Sequence, residues 1–198
     1  RYYSIGSFKR IKLTKEFFKP KRVVFLDRDG TINKRPARAC YIEKPEEFVW
    51  LEGAMEAIHL LKENGFLVII ITNQPGIARG DLTEEMLHCI HEKMRADLLK
   101  ERTEIDDIFY CPHNWDDGCF CRKPNPGMIF EAQKKYSLNL SECYLIGDDE
   151  RDIAAGEAAG CICRMVDEKC TVLDVAKEII SLEKKENCLL YTSPSPRD

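Results

Sequence analysis

Short, continuously apolar runs alternate along the chain with longer stretches in which apolar residues recur every three or four positions. Such alternation describes buried strands interleaved with amphipathic helices. The pattern predicts strands over Val23–Asp27, Phe66–Thr72, Asp107–Cys111, Cys143–Gly147 and Cys161–Val166, and helices over Ala54–Asn64, Thr83–Glu101, Gly127–Tyr136, Arg151–Ala159 and Val172–Lys184. Thr83, followed by Glu84 and Glu85, suits a helix start. Gly65 and Gly160 stand where helix ends favour positive φ. Repeated β-α units predict an α/β fold, a Rossmann-like three-layer sandwich with a mainly parallel sheet. Three segments follow: a basic, aromatic stretch over 1–21 expected to be a linker or the tail of an upstream module, a single domain over 22–185, and a tail over 186–198. The tail ends in the Ser/Pro-rich YTSPSPRD, which is expected to be disordered or, from its likeness to translated adapter sequence, artefactual.

With 198 residues there is room for one domain with a full core, and a net charge of −4 gives no field to draw nucleic acid or an anionic membrane. Phe66–Ile71 is too short to span a bilayer. Any anionic substrate must be held by local cations. Ten cysteines are scattered through strand-like and helix-like segments rather than arranged as a small disulfide framework. They predict a reducing, cytoplasmic setting.

The candidate chemistry follows strand ends. Val23–Leu26 delivers Asp27 and Asp29 onto a turn opened by Gly30 and followed by Thr31. Two carboxylates at the C-terminal edge of a strand suit nucleophilic attack by one and proton transfer by the other, with a divalent cation screening both. Thr72, Asn73 and Gln74 close the most apolar strand with donors fit for phosphate oxygens. Arg122 and Lys123 precede a helix start, and Gly147-Asp148-Asp149 ends the fourth strand. Each motif is weak alone; together they assemble nucleophile, acid/base, hydroxyl donor, lysine and metal carboxylate. A separate cluster, Cys111-Pro-His113 and Cys119-Phe-Cys121, offers three thiolates and one imidazole, a closed tetrahedral set for a structural Zn²⁺. It would pin the polar loop 114–118 just before Arg122. Arg79, Arg122, Lys34 and Arg35 are candidates for a non-reacting phosphate. The long connection from Asn33 to Trp50 predicts a flap beside the acid pair. His88 and His91, lacking a third ligand, are expected on a solvated helix face.

The four strand-end motifs resemble those of the haloacid dehalogenase superfamily of phosphohydrolases. FLDRDGTIN, TNQPGIARGDLTEE, CPH with CFCRKPNPGM, and GDDERDIAAGEAAG are similar to the branch that acts on heptose bisphosphates, and Gly76–Gly80 separates it from the neighbouring histidinol-phosphate branch. The resemblance implies no large cap domain, a small zinc-binding loop and a two-step phosphoryl transfer from a small phosphorylated sugar. Asp27 would be the nucleophile, Asp29 the acid/base, and Thr72 and Lys123 the stabilisers of the transferring oxygens. Thr31, Asn73, Gln74, Arg79 and Arg122 would bind substrate. Mg²⁺ would lie on the carboxylates of Asp27 and Asp148 and the main-chain carbonyl of Asp29. Asp149 departs from the branch, where Lys is usual at that position. The start of the chain, RYYSIG, resembles the end of a sugar nucleotidyltransferase, which implies fusion to one upstream. The enzyme itself is expected to be a monomer with neither nucleic-acid nor membrane partners.

Overall fold

The computed structural model describes residues 21–37 and 40–192, with side chains through 185. The predicted upstream segment, Lys21 excepted, and residues 193–198 lie outside the described residues. Five strands, β1 (Val23–Leu26), β2 (Leu67–Asn73), β3 (Asp107–Cys111), β4 (Tyr144–Gly147) and β5 (Ile162–Met165), form one sheet in the order β3-β2-β1-β4-β5. Every pairing is parallel. Six helices connect or flank them: α1 (Ala54–Glu63), α2 (Gly76–Arg79), α3 (Glu84–Lys100), α4 (Gly127–Tyr136), α5 (Glu150–Ala159) and α6 (Val172–Thr192).

The central strands are apolar on both sides because helices cover both faces. Val24, Leu26, Val68, Ile70 and Ile146 pack with α1, α3 and α6, while Val23, Phe25, Ile69, Ile71 and Leu145 pack with α4 and α5. These faces make the three-layer α/β sandwich that the periodicity predicts. Chain order places β1 in the middle, so its C-terminal end opens at the centre of one sheet edge, where ligands bind in open α/β sheets.

Local chemistry sets the differences from the sequence reading. Helix α5 begins one residue earlier than predicted, because Asp149 caps it by accepting from the Arg151 amide at 3.0 Å. Helix α6 continues past Lys184 to Thr192, into the stretch the sequence assigns to a tail. The short helix α2 and two 3-10 turns, Pro45–Glu47 and Leu140–Glu142, carry too little apolar period to stand out. His91 corrects an expectation. His88 is exposed, but His91 is buried, with its ring 6.2 Å from that of Tyr110. Leu87, His91, Met94 and Leu98 form one buried stripe of α3, at the spacing of a core-facing helix side. Burial, with the Arg28 charge second, pushes His91 down to about 3, so it is neutral in the core.

Candidate active site

Asp27 emerges at the end of β1 and is almost fully buried, its amide still donating to the Ile146 carbonyl at 2.9 Å. Lys123 reaches it from the loop before α4. The Lys123 Nζ lies 2.5 Å from Asp27 Oδ1, 2.6 Å from Asp152 Oδ1 and 2.9 Å from the Ile71 carbonyl. Burial raises Asp27 to about 7, with the Asp152 and Asp29 charges adding to the rise and Lys123 opposing it. Burial alone would lower the Lys123 ammonium, but Asp27 and Asp152 outweigh it and hold it raised. The lysine therefore stays charged between two carboxylates.

Asp29 sits in the opposite environment. Arg28, fully buried behind the turn, donates from Nη2 to Asp29 Oδ2 at 2.8 Å and from Nε to Oδ1 at 3.1 Å. Asn33 Nδ2 donates to Oδ1 at 3.0 Å and Gln74 Nε2 to Oδ2 at 3.1 Å. Burial would raise this carboxyl, yet the Arg28 charge and the three donors hold it below the usual carboxylate range. Two acids one residue apart are thus tuned in opposite directions by their surroundings.

The remaining predicted residues gather around this pair by different means. Thr72 is buried and accepts from Gln74 Nε2 at 2.9 Å. Asn73 is spent on the backbone of Lys123, donating to its carbonyl and accepting from its amide, each at 3.1 Å. Gln74 is turned onto Asp29 and Thr72 rather than into open space. Thr31 faces Asp148, with its hydroxyl 3.4 Å from Oδ1. Arg79 is held by Tyr41 Oη at 2.7 Å and Asn114 Oδ1 at 3.1 Å, while Arg122 donates to the His113 carbonyl at 3.3 Å. Asp27, Asp29, Thr72, Asn73, Arg79, Arg122 and Lys123 line one cavity of about 440 Å³, within the range of small-ligand sites.

The flap is tied at its base. Asn33 pairs with Trp50, the Lys34 amide donates to the Val49 carbonyl at 2.8 Å, and Leu51 N donates to Ile32 O at 2.9 Å. From that base Arg35, Pro36, Ala37, Cys40 and Tyr41 come over the cavity. Tyr41 packs so close to Gly76 that a Cβ there would lie 3.0 Å from its ring.

Asp148 leaves β4 beside Gly30, whose φ is +104°, and a Cβ on Gly30 would collide with the Asp148 carboxylate. Burial raises Asp148 above its ordinary value, against the Arg35 charge. Carboxylate oxygens of Asp27, Asp148 and Asp152 lie within 4.8 Å of one another. A cation of the chain itself already touches two donors of the expected magnesium site: Arg35 Nη2 is 2.8 Å from Asp148 Oδ2, and its Nε donates to the Asp29 carbonyl at 3.3 Å. The donor set is all oxygen and anionic, so it fits a hard divalent ion.

Cys111, His113, Cys119 and Cys121 converge as well, with ligand atoms within 4.8 Å of one another. Cys111 Sγ lies 3.6 Å from both His113 Nδ1 and Cys119 Sγ, and 3.2 Å from Cys121 Sγ. A tetrahedron with metal–sulfur bonds of about 2.3 Å has edges of about 3.7 Å, so the four are placed for one Zn²⁺ with side-chain shifts of about half an ångström at Cys121.

Three functional positions went unassigned by sequence reasoning. Arg28 lies between the two acids, and only the turn reveals that its side chain curls back onto Asp29. Asp152, third in α5, reads as a helix-start acid but shares Lys123 with Asp27. Arg151 reads as an exposed helix cation but lines the cavity.

A family model described as haloacid dehalogenase-like hydrolase matches residues 9–160. A protein of Photorhabdus laumondii named D-glycero-alpha-D-manno-heptose-1,7-bisphosphate 7-phosphatase is 43% identical over 147 residues, covering 70% of this chain and 78% of its own length. A Bordetella bronchiseptica protein bearing the beta-anomer name is 39% identical over 140 residues, covering 71% and 77%. The crystal structure of D,D-heptose 1,7-bisphosphate phosphatase from B. bronchiseptica, in complex with magnesium and phosphate, is similar with a TM-score of 0.76 at 32% identity, covering 81% of this chain and 99% of that one. The chain belongs to the haloacid dehalogenase-like hydrolases.

Proposed function

We propose that the protein is a Mg²⁺-dependent phosphatase that removes the C7 phosphate from D-glycero-D-manno-heptose 1,7-bisphosphate. The observation that carries this reading is the convergence of Asp27, Asp29, Thr72 and Lys123 on one cavity rimmed by arginines, in a chain whose relatives bear that activity as their name. An Asp27 carboxylate oxygen attacks phosphorus as the C7–O–P ester bond breaks. Asp29, once it has taken up a proton against the pull of Arg28, gives that proton to the departing sugar oxygen. It then takes one from water, which attacks the aspartyl phosphate, releases inorganic phosphate and restores Asp27. Lys123 and the Thr72 hydroxyl stabilise charge on the transferring oxygens. Asn73 acts through Lys123 by fixing its backbone, and Gln74 and Arg28 act through Asp29 by fixing its carboxylate. Asp27, Asp148 and the Asp29 carbonyl would hold Mg²⁺, which would screen the repulsion between a carboxylate and a phosphate dianion. Arg35 must yield at least one of its two contacts to that ion. Cys111, His113, Cys119 and Cys121 would hold Zn²⁺ with four protein ligands, and that ion would order the loop leading to Arg122. Arg79 and Arg122 bind the part of the substrate that does not react.

Phosphate release tests this across a panel holding both heptose 1,7-bisphosphate anomers, histidinol phosphate and simple phosphomonoesters, with Asp27→Asn as the blank. The expected result is Mg²⁺-dependent release with highest kcat/KM on a heptose bisphosphate. Preference for histidinol phosphate would overturn the substrate, and turnover by the blank would overturn the nucleophile.

A further inference from the structure

Arg151 is the second residue of α5 and lines the cavity that holds Asp27 and Lys123. Its guanidinium is set fork to fork on Asp149, with Nε to Oδ1 and Nη2 to Oδ2 both at 2.8 Å. Asp149 is itself fixed. It caps the helix by accepting from the Arg151 amide, and its own amide donates to Asp152 Oδ2 at 3.2 Å. A bidentate pair of this kind holds the planar group in one orientation before any ligand arrives. Two of the five N–H groups are used, so both hydrogens of Nη1 and one of Nη2 remain for an acceptor.

The other cations of the cavity are differently engaged. Lys123 is enclosed by Asp27, Asp152 and the Ile71 carbonyl, Arg35 reaches Asp148 and the Asp29 carbonyl, Arg79 is tied to Tyr41 and Asn114, and Arg122, with one bond to the His113 carbonyl, lacks among the described residues a carboxylate that fixes its plane. Arg79 comes from the β2 side of Asp27, whereas Arg151 comes from the β4 side, half-exposed at the rim. The group cannot be the one that meets the transferring phosphate, because Asp27, Lys123 and Thr72 hold that place deeper at the strand ends. An anion bound to the free edge of Arg151 would belong to a distant part of the same substrate.

We propose that Arg151 binds the second, non-transferring phosphate of the substrate and so sets the preference for a sugar bisphosphate over a monophosphate, with Asp149 as its positioning residue. This rests on the sugar-bisphosphatase reading above and names a residue that determines its specificity. A permanent guanidinium suits a dianion that carries its charge through the whole cycle. A monophosphate leaves that edge to water and gains nothing from it. The Asp27 charge also acts on Arg151, in keeping with the two facing one cavity.

The test compares kcat/KM for heptose 1,7-bisphosphate with that for heptose 7-phosphate in the wild type, R151Q and R151K, alongside thermal melting of each. The wild type is expected to favour the bisphosphate. In R151Q the ratio should fall about tenfold or more, chiefly through KM for the bisphosphate, as expected for loss of one charge-assisted contact. R151K should recover part of it. An unchanged ratio in R151Q would overturn the proposal while leaving the bisphosphatase reading standing. So would a parallel fall on both substrates with a lower melting temperature, which would assign Arg151 to capping α5. A wild type without preference for the bisphosphate would overturn that reading itself, and this proposal with it.

Discussion

The floor and the rim of the cavity are built on contrary principles. On the floor, Asp27, Lys123 and Asp152 are each nearly free of solvent, fixed by strand ends and by one another. On the rim, Arg79, Arg122 and Arg151 are carried by the end of a short helix, a loop and a helix start, and each is tethered to a partner at the surface. Burial on the floor makes charges strong and expensive, so each needs an opposite neighbour. Solvent on the rim makes charges cheap and weak, so geometry must come from tethers: a carboxylate for Arg151, a tyrosine for Arg79, and a Cys/His cluster beside Arg122. The floor is thereby suited to bond making, and the rim to recognition that can vary without disturbing it.

The sharpest break in that division is at Asp27. Asp27→Asn keeps shape and burial but removes the proposed nucleophile, and a loss of about 10⁴-fold or more in kcat is expected, read as phosphate release at saturating substrate. Lys123→Met comes next. It leaves Asp27 and Asp152 facing each other without a cation, and breaking a buried charge set of this kind costs about 3–5 kcal/mol. Denaturant unfolding should show that loss together with a steep fall in kcat. A Lys123→Met variant as stable as the wild type would mean that the floor is not held by its charges.

The rim should yield differently. Cys119→Ser with Cys121→Ser removes two of the four candidate zinc ligands while leaving the sheet core intact. KM is expected to rise about tenfold with kcat changed less, the mark of lost binding rather than lost chemistry. Limited proteolysis should then cut first within 112–121. Zinc content measured on the same samples should fall with the ligands. If kinetics stayed unchanged after the metal was lost, the loop would have no part in holding Arg122.

Sequence alone reached the floor's residues better than their partners. Asp27, Thr72 and Asp148 close or follow apolar strands, and apolar runs with a polar stop are readable without coordinates, while Lys123 stands out as a cation just before a helix start. The order β3-β2-β1-β4-β5 was not legible, because one-handed crossovers fix which face each helix covers and not which strands are neighbours. Arg28 was hidden because a side chain next to a turn can point either way, and only the turn decides. Asn73 and Gln74 look like phosphate donors by type, yet their bonds go to Lys123 and Asp29, since buried amides must find partners wherever the fold supplies them. His91 was readable. Its place on the stripe Leu87, Met94, Leu98 outweighs the polarity of its name.

The smallest effect is expected in stability, and it separates Asp27 from Asp29 within the floor. The folded protein holds Asp27 at about 7, against 3.8 for an ordinary aspartate. The native state therefore binds this proton more tightly than the unfolded chain does. The stability linked to it is complete below the unfolded value and is lost as pH rises through about 7. Asp29 is held low, so its contribution is present above the unfolded value and is lost only as pH falls through its folded value. Between about pH 5.5 and about pH 8 the Asp29 contribution is constant, and the gain from His91, neutral in the fold and titrating near 6.5 only when unfolded, is common to the wild type and an Asp27 variant and cancels between them. Asp27→Asn mimics the neutral form at every pH. In Mg²⁺-free buffer its melting temperature should gain on the wild type by a few degrees as pH rises across that window, and added Mg²⁺ should close the gap by favouring the ionised wild-type carboxylate. A gap that stays flat would mean that Lys123 keeps Asp27 ionised throughout, and that the nucleophile is ready before any metal arrives.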